Sequence, residues 1–398
     1  MFSKFIILTI VSILAIVQLR AVKSWSRPAD WYCIWSMALI TISVLFIYPN
    51  YEWEVTGIAW WILSCICCLI GSISGSRYVI KYPSKSISNF WWRALKYENI
   101  IKVYYFMAIM YSVLLLANHG FSLLSIRSAA DLYRINNYMQ DYRYSNLDTN
   151  EGLAQQICLS FTYALPICGG LLINQKKGKL HSIKCFLCLL PNFLITILNN
   201  TKSGIIIAII LFVSSYIIGY MLINKKEIKL SPKFIRGVVI GLCAFLVFVF
   251  WAIRLRYNSD ASRSGTDYII SALKDYIFGC TVNFDHYFSG IKSMDLSQSY
   301  DFLAGSNILT ANTFWIYKYG YIGTLFIWFI RGFFSGSAYQ HLKNGSDSII
   351  EIVVLLYVYL NAIYFFTYIP FSYTTVCIGV FVLFPVFFSV FRRQYNNR

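Results

Sequence analysis

Charge is scarce in this chain, and its scarcity decides the class of protein. Charged residues make up only 13% of the 398 residues, whereas apolar residues make up 58% and aromatic residues 18%. The mean hydropathy is +0.58. Soluble domains carry roughly 25% charged residues. A single water-soluble core is therefore excluded.

Several sequence patterns that carry chemistry are also missing. There is no DxD pair, no HExxH or GxSxG motif and no phosphate-binding glycine loop, so hydrolase and ATPase functions lose support. Only Cys280 of the 11 cysteines lies in a long segment outside the apolar runs, which leaves no disulfide framework there. The CICC run at 65–68 has no companion histidine, and packing in a membrane core explains it better than metal binding does. We expect neither a metal nor a cofactor.

What the chain has instead is a series of long apolar runs. Each is close to the ~20 residues that a helix needs to cross the hydrocarbon layer. We expect eleven transmembrane helices, at about 2–19, 31–48, 57–74, 100–117, 156–173, 185–198, 204–222, 237–253, 319–336, 349–366 and 374–391.

The loops between these runs alternate in charge. Twenty-two of the 34 lysines and arginines fall on one side, and twelve of the 17 acidic residues fall on the other. The positive-inside rule predicts that the basic side is cytoplasmic. The net charge of +17 is therefore explained by the orientation of the chain in the membrane. The basic residues form no contiguous stripe, which argues against nucleic-acid binding.

The sequence thus predicts an all-α, multi-pass protein of the bacterial inner membrane, with residues 1–398 forming a single integral membrane domain. The first apolar run lacks a small-residue cleavage site, and we interpret it as a retained span. Two long segments, about 118–155 and 254–318, are expected on the periplasmic side. Within them, 267–279 has the spacing of an interfacial amphipathic helix, and 121–139 is as consistent with a short helix as with a loop.

Basic residues at the outer boundary are candidate phosphate ligands. Arg254 and Arg256 directly follow an apolar run, at the depth where a lipid-borne diphosphate would lie, and guanidinium groups pair with phosphate oxygens. Lys202, in the short turn NNTKSG, is a further candidate. Snorkelling of a helix end remains the alternative for all three.

The long loops add other candidates. Arg127 is a candidate phosphate contact, although a solvated pair with Asp131 at i+4 explains it equally well. Asp285 and His286 are the candidate acid or base groups, because activation of a sugar hydroxyl requires a carboxylate or an imidazole. Arg331 lies inside an apolar run near its cytoplasmic end, and either function or snorkelling explains it.

These features resemble the Wzy-type polymerases of O-antigen or capsule repeat units. The resemblance covers nearly the whole chain and depends on topology, on the NNTKSG turn, and on the segment SNILTANTFWIYKYGYIGTLFIWFIRGFFSG. Residues of that segment that occupy places similar to the family pattern are Asn312, Thr313, Phe314, Tyr319, Gly320, Gly323 and Gly332.

The resemblance implies a GT-C-like fold and a metal-independent glycosyl transfer on the periplasmic face. An undecaprenyl-diphosphate-linked chain would be the donor, and a second lipid-linked repeat unit would be the acceptor. A Wzz-type chain-length regulator is a candidate partner, and the lipid bilayer is the medium. Stabilisation of the departing diphosphate would then fall to the basic residues.

Three alternatives remain open. A Wzx-type flippase would need more spans and shorter loops, and would place charges inside the bundle. An O-antigen ligase would carry a His-Asn pair before the glycines, which this chain lacks. A peptidoglycan-type polymerase has the same general shape.

Overall fold

The computed structural model describes residues 2–21, 26–78, 96–145, 152–175, 178–199, 202–228, 274–294, 309–367 and 369–396. All regular structure in these ranges is helical. The α-helices are α1 (Phe2–Ala21), α2 (Pro28–Ile42), α3 (Val55–Arg77), α4 (Tyr97–Asn118), α5 (Ala129–Ser145), α6 (Leu153–Leu172), α7 (Lys179–Phe186), α8 (Leu190–Asn199), α9 (Lys202–Asn224), α10 (Gly279–Tyr287), α11 (Ala311–Lys343), α12 (Ile349–Tyr364), α13 (Thr374–Ile378) and α14 (Phe384–Asn396).

The membrane class is confirmed. Eight helices in the described part of the chain are long and apolar enough to cross a bilayer, and α12 is a shorter apolar helix. The expected span at 319–336 lies within α11, whereas the one at 237–253 lies outside the described residues. The count of eleven spans and the GT-C-like fold therefore stay predictions. We call the side predicted to be periplasmic the outer side.

α3 and α11 cross at close range, and glycines on both helices explain how near their backbones come. α3 carries Gly71 and Gly75, and α11 carries Gly332 and Gly336, so each helix has a GxxxG motif at the crossing. A Cβ atom on any of these glycines would strike a backbone carbonyl oxygen of the facing helix. Membrane helices gain little from apolar burial against each other, so close backbone approach through small residues is what holds such a pair together.

A second small-residue crossing joins α6 to α9. A Cβ atom on Gly170 would strike the carbonyl oxygen of Phe212, and one on Gly219 would lie 2.8 Å from the carbonyl oxygen of Leu171. This pair belongs to one apolar core with α4, α12 and α14. The other main core contains α1, α2, α3 and α10 together with α11.

α11 is bent sharply at Gly320, where φ is 72° and ψ is 175°. A positive φ is unfavourable for residues with a Cβ atom, so glycine suits this position. The bend folds the first part of α11 back on the second. As a result, the side chain of Asn312 accepts a 2.8 Å hydrogen bond from Nε1 of Trp328, which is 16 residues further along the chain.

The two long outer segments contain helices where they are described. The first holds α5, preceded by a capping box in which Ser128 Oγ accepts from the N–H of Asp131, and Asp131 accepts from the N–H of Ser128. Of the expected interfacial helix at 267–279, the structure describes a π-helical turn, Lys274–Phe278, that leads into α10. Lys274 packs over the ring of Tyr48 at 4.7 Å.

The described ion pairs are all on the side predicted to be cytoplasmic. Arg392 donates two hydrogen bonds, of 2.6 and 2.7 Å, to the carboxylate of Asp347, and Lys343 pairs with Glu227 at 2.9 Å. His341 contacts Glu351 at 2.7 Å in a buried pair that joins α11 to α12. These contacts close the inner ends of the helices.

We expect Gly332→Ala to destabilise the protein, because its Cβ would overlap the carbonyl oxygen of Cys68 and only a backbone shift can relieve that. Overpacking of this kind costs about 1–3 kcal/mol. The matched control is Gly204→Ala in α9, where the nearest atom to a Cβ is the Tyr163 hydroxyl at 3.6 Å. Thermal unfolding in detergent should show a lower midpoint for Gly332→Ala only. Equal midpoints would contradict this account of the crossing.

Candidate functional site

The candidate site lies at the outer end of α3, where α10 packs. Asp285 of α10 accepts a 2.8 Å hydrogen bond on Oδ2 from the backbone N–H of Glu54. Glu54 is the N-cap residue of α3. The first turn of a helix has unpaired N–H groups and a partial positive charge, so a carboxyl group from another helix is well placed there.

Asp285 is fully buried, and burial changes its acidity. Desolvation raises the pKa of its carboxyl group from 3.8 to about 7, and the nearby carboxylate of Glu54 adds to the rise, whereas hydrogen bonds from the Glu54 backbone and from Tyr51 oppose it. The pKa of Tyr51 is raised in turn, by its own burial and then by the charge of Asp285. Asp285 can therefore gain or lose a proton near neutral pH.

His286 is exposed, and its ring contacts that of Tyr287 with a centroid distance of 4.6 Å. The two neighbouring candidates for the acid or base role thus differ in environment: Asp285 is buried in the protein, whereas His286 lies at its surface. Of the two, His286 is the one that a bound molecule reaches directly.

Aromatic rings surround the buried side of α10. Trp60 lies 5.9 Å from Phe284, 5.8 Å from Phe288 and 6.3 Å from Tyr321, measured between ring centroids. The hydroxyl of Tyr321 donates a 2.6 Å hydrogen bond to the carbonyl oxygen of Phe288. Since Tyr321 directly follows the bend at Gly320, this aromatic cluster joins α3, α10 and α11.

A cation lies at the edge of the cluster. The ammonium group of Lys292 is 5.9 Å from the centroid of Tyr321, and the side chain of Lys292 is exposed. A Cβ atom on Gly320 would lie 3.2 Å from Nζ of Lys292. Aromatic faces with adjacent charged donors suit ligands that have both apolar and hydroxylated surfaces.

The predicted phosphate ligands are not brought together by the described part of the structure. Arg254 and Arg256 lie outside the described residues. Lys202 is the first residue of α9, and its side chain is not described. Arg127 is exposed and precedes α5, which packs on α8. Within the described ranges no hydrogen bond or ion pair links Arg127 to Asp285 or His286. The four basic residues therefore remain predictions as diphosphate ligands.

The expected side-chain pair of Arg127 with Asp131 takes another form. Asp131 accepts from the backbone N–H of Arg127 at 3.1 Å and from the Ser128 hydroxyl at 2.8 Å, and these hydrogen bonds hold the pKa of Asp131 below its usual range. In the described structure this carboxylate makes a helix cap. The guanidinium of Arg127 stays on the surface.

Asn312, in the segment that carries the family resemblance, is buried inside the bundle. Asn312 donates to the hydroxyl of Tyr32 at 3.2 Å, and Tyr32 stacks on Trp328 with ring centroids 3.7 Å apart. The Tyr32 hydroxyl also meets Ser64 of α3 at 2.7 Å. Asn312 thus connects α2, α3 and both parts of α11.

Arg331 is buried in the bundle and is not a snorkelling side chain. Its side chain is only 9% exposed and its guanidinium lies over the ring of Trp315. Residues 312–319 are folded back against the second part of α11, which places Trp315 there. Sequence order alone gives no sign of this contact.

The site contains features that the sequence analysis missed. Tyr51 and Glu54 at Asp285 and the Trp60 aromatic cluster have no linear motif, because they bring together parts of the chain more than 200 residues apart. The two GxxxG motifs were readable, since such spacing inside an apolar run is a known signal for helix contact. Within the described ranges, no three His, Cys, Asp or Glu side chains come together as metal ligands would.

Comparison of the chain with protein-family models, curated proteins and solved structures gave no match. The function must therefore be argued from the site.

We expect Asp285→Asn to remove a pH dependence of stability. The folded chain holds the proton of Asp285 up to about pH 7, whereas the usual pKa is 3.8. The contribution of this group to stability therefore falls as the pH rises between these values, and it is constant above them. Asparagine keeps an acceptor for the Glu54 N–H. The unfolding midpoint of the variant minus that of the wild type should thus be larger at pH 8 than at pH 5.

Asp131→Asn is the control for that measurement, because the lowered pKa of Asp131 makes it titrate only in more acidic solution. Its midpoint difference from wild type should be the same at pH 5 and pH 8. A wild type and an Asp285→Asn variant with parallel pH profiles would contradict the assignment of a raised pKa to Asp285.

Proposed function

We propose that this protein is an O-antigen or capsule polymerase, a membrane glycosyltransferase that joins undecaprenyl-diphosphate-linked oligosaccharide repeat units on the periplasmic face of the inner membrane. The observation that carries the proposal is the position of Asp285 and His286 beside an aromatic cluster at the predicted outer ends of the helices. Polymerisation of lipid-linked sugars needs acid or base groups at this level of the membrane.

The reaction has three chemical steps or requirements that the protein must support. The terminal hydroxyl of the acceptor repeat unit must lose its proton as its oxygen attacks the anomeric carbon of the donor. The bond from that carbon to the undecaprenyl diphosphate breaks, and the diphosphate leaves with the electron pair. Positive groups must stabilise the charge that develops on it. His286, exposed at the surface, is the group we assign to proton removal.

Asp285 has a different part in this proposal. It is buried against the N-terminus of α3 and fixes the orientation of α10, so that His286 is presented at the surface. Asp285 is thus a positioning residue for His286. Aromatic rings such as Tyr287, next to His286, offer flat apolar faces to sugar rings.

The sequence-predicted basic residues complete the proposal. Arg254 and Arg256, with Lys202 and Arg127, are the candidate ligands of the diphosphate. Guanidinium groups hold their charge at any relevant pH and bind phosphate oxygens in pairs. A Wzz-type regulator would set the chain length of the product, and no metal is assigned to the reaction.

The test is lipopolysaccharide banding on gels of a deletion strain complemented with variants. We expect the deletion to leave core plus a single repeat unit, and the wild-type gene to restore the ladder. Arg254→Ala and His286→Ala should reach the membrane in normal amounts but fail to restore it. Arg393→Ala is the matched control, because Arg393 is exposed on α14 at the predicted cytoplasmic side, and it should restore the ladder in full.

The same gels discriminate the alternatives. Bare core without a capped band in the deletion strain would replace the polymerase by a flippase or a ligase. A ladder restored by His286→Ala and lost in Asp285→Asn would move the proton-accepting role to Asp285.

A further inference from the structure

Arg331 lies near the middle of the second part of α11, enclosed by aromatic rings. Its Cζ atom is 3.7 Å from the ring centroid of Trp315, 5.4 Å from that of Trp328 and 5.2 Å from that of Tyr357. Cation–π contacts of this kind stabilise a guanidinium group and fix its plane. They do not neutralise its charge.

Only part of the Arg331 guanidinium group makes a hydrogen bond within the described residues. Nη2 donates to the hydroxyl of Tyr357 at 2.7 Å, whereas Nη1 is buried and has no acceptor in the described residues. The ion pairs found there engage other cations, so none of the described carboxylates neutralises Arg331. A guanidinium group stays protonated in proteins, and burying one without an anion is costly.

Tyr357 supplies a second donor beside the first. Its hydroxyl oxygen accepts from Arg331, which leaves the phenolic hydrogen for another acceptor. The ring of Tyr357 is half-buried and lies 4.7 Å from that of Phe371 and 6.3 Å from that of Phe381. Phe381 is 43% exposed. These aromatic side chains thus form a path from the Arg331 guanidinium group to an exposed apolar part of the bundle surface.

We propose that Arg331 and Tyr357 form a subsite for a phosphate-class anion, with Trp315 and Trp328 holding the guanidinium plane. A guanidinium fork matches the spacing of phosphate oxygens, and an ionisable residue inside the membrane marks a functional position. Because the subsite borders an apolar surface, we assign to it the phosphate of a membrane lipid. The choice of undecaprenyl diphosphate as that lipid rests on the function proposed above.

The experiment measures binding to the full-length protein in uncharged detergent. The probes are undecaprenyl diphosphate, inorganic pyrophosphate and undecaprenol, which has no phosphate. We expect Arg331→Met to weaken binding of undecaprenyl diphosphate by about tenfold or more, the loss expected for one charge-assisted contact. Tyr357→Phe, which removes only the hydroxyl, should weaken it by a smaller factor. Undecaprenol should bind all three proteins equally.

Arg392→Gln is the matched control, because Arg392 is already paired with Asp347 and joins helix ends on the inner side. It should lower the unfolding temperature and leave the binding constant unchanged. Arg331→Met should unfold at the same temperature as the wild type or higher, because it removes an unpaired buried charge. If Arg331→Met instead unfolds earlier and binds undecaprenyl diphosphate as the wild type does, Arg331 is a structural brace and the proposal is overturned.

Three further outcomes complete the test. Binding of pyrophosphate as tight as that of the lipid, and lost in Arg331→Met, would support the subsite and assign it to a soluble anion. Should Arg331→Met fail to fold, Tyr357→Phe decides: unchanged affinity for every phosphate-bearing probe overturns the subsite. An intact ladder in the deletion strain would overturn the polymerase while leaving an Arg331-dependent binding constant untouched.

Discussion

The close approach of α3 and α11 is the constraint on which the rest of the described structure depends. No side chain separates the two backbones at Gly71, Gly75, Gly332 and Gly336, so their distance and rotation are fixed by carbonyl oxygens. The outer end of α3 is thereby held beside the bend of α11, and α10 packs into that corner. The Asp285 site follows from this helix crossing, whereas the enclosure around Arg331 also needs the bend at Gly320 and Tyr357 of α12. In a bilayer, such packing replaces the apolar driving force of a soluble core.

Two buried ionisable groups in this frame are treated in different ways. Asp285 is placed at a helix N-terminus, where backbone N–H groups compensate part of the cost of burial, and its carboxyl remains able to hold a proton near neutral pH. Arg331 has no such option, because a guanidinium group does not give up its proton. Aromatic faces and one hydroxyl are its only described partners. The Asp285 carboxyl group therefore stabilises the structure and can titrate. The Arg331 guanidinium group is instead positioned to bind an anion.

Parts of the site were predictable and parts were not. Asp285 and His286 could be selected because activation of a sugar hydroxyl requires a carboxylate or an imidazole, but only the structure shows that one is buried and the other exposed. α5 was as consistent with a loop as with a helix, since its capping by Ser128 and Asp131 is local but its apolar spacing is weak. For Arg331 the sequence left function and snorkelling both open, and the structure shows that the bend at Gly320 places Trp315 over its guanidinium group. A bend that returns the chain on itself changes neighbours without leaving a periodic signal.

The sequence by itself determined the class of this protein: apolar run length sets which segments can cross a bilayer, and the uneven distribution of charge predicts their orientation. Both are properties of single segments in contact with lipid or water, so they can be read without knowing any helix partner. Tertiary structure alone decided which groups meet at the outer end of α3 and which aromatic rings enclose Arg331. Those contacts depend on helix crossings and on the bend at Gly320, and no single apolar run specifies them.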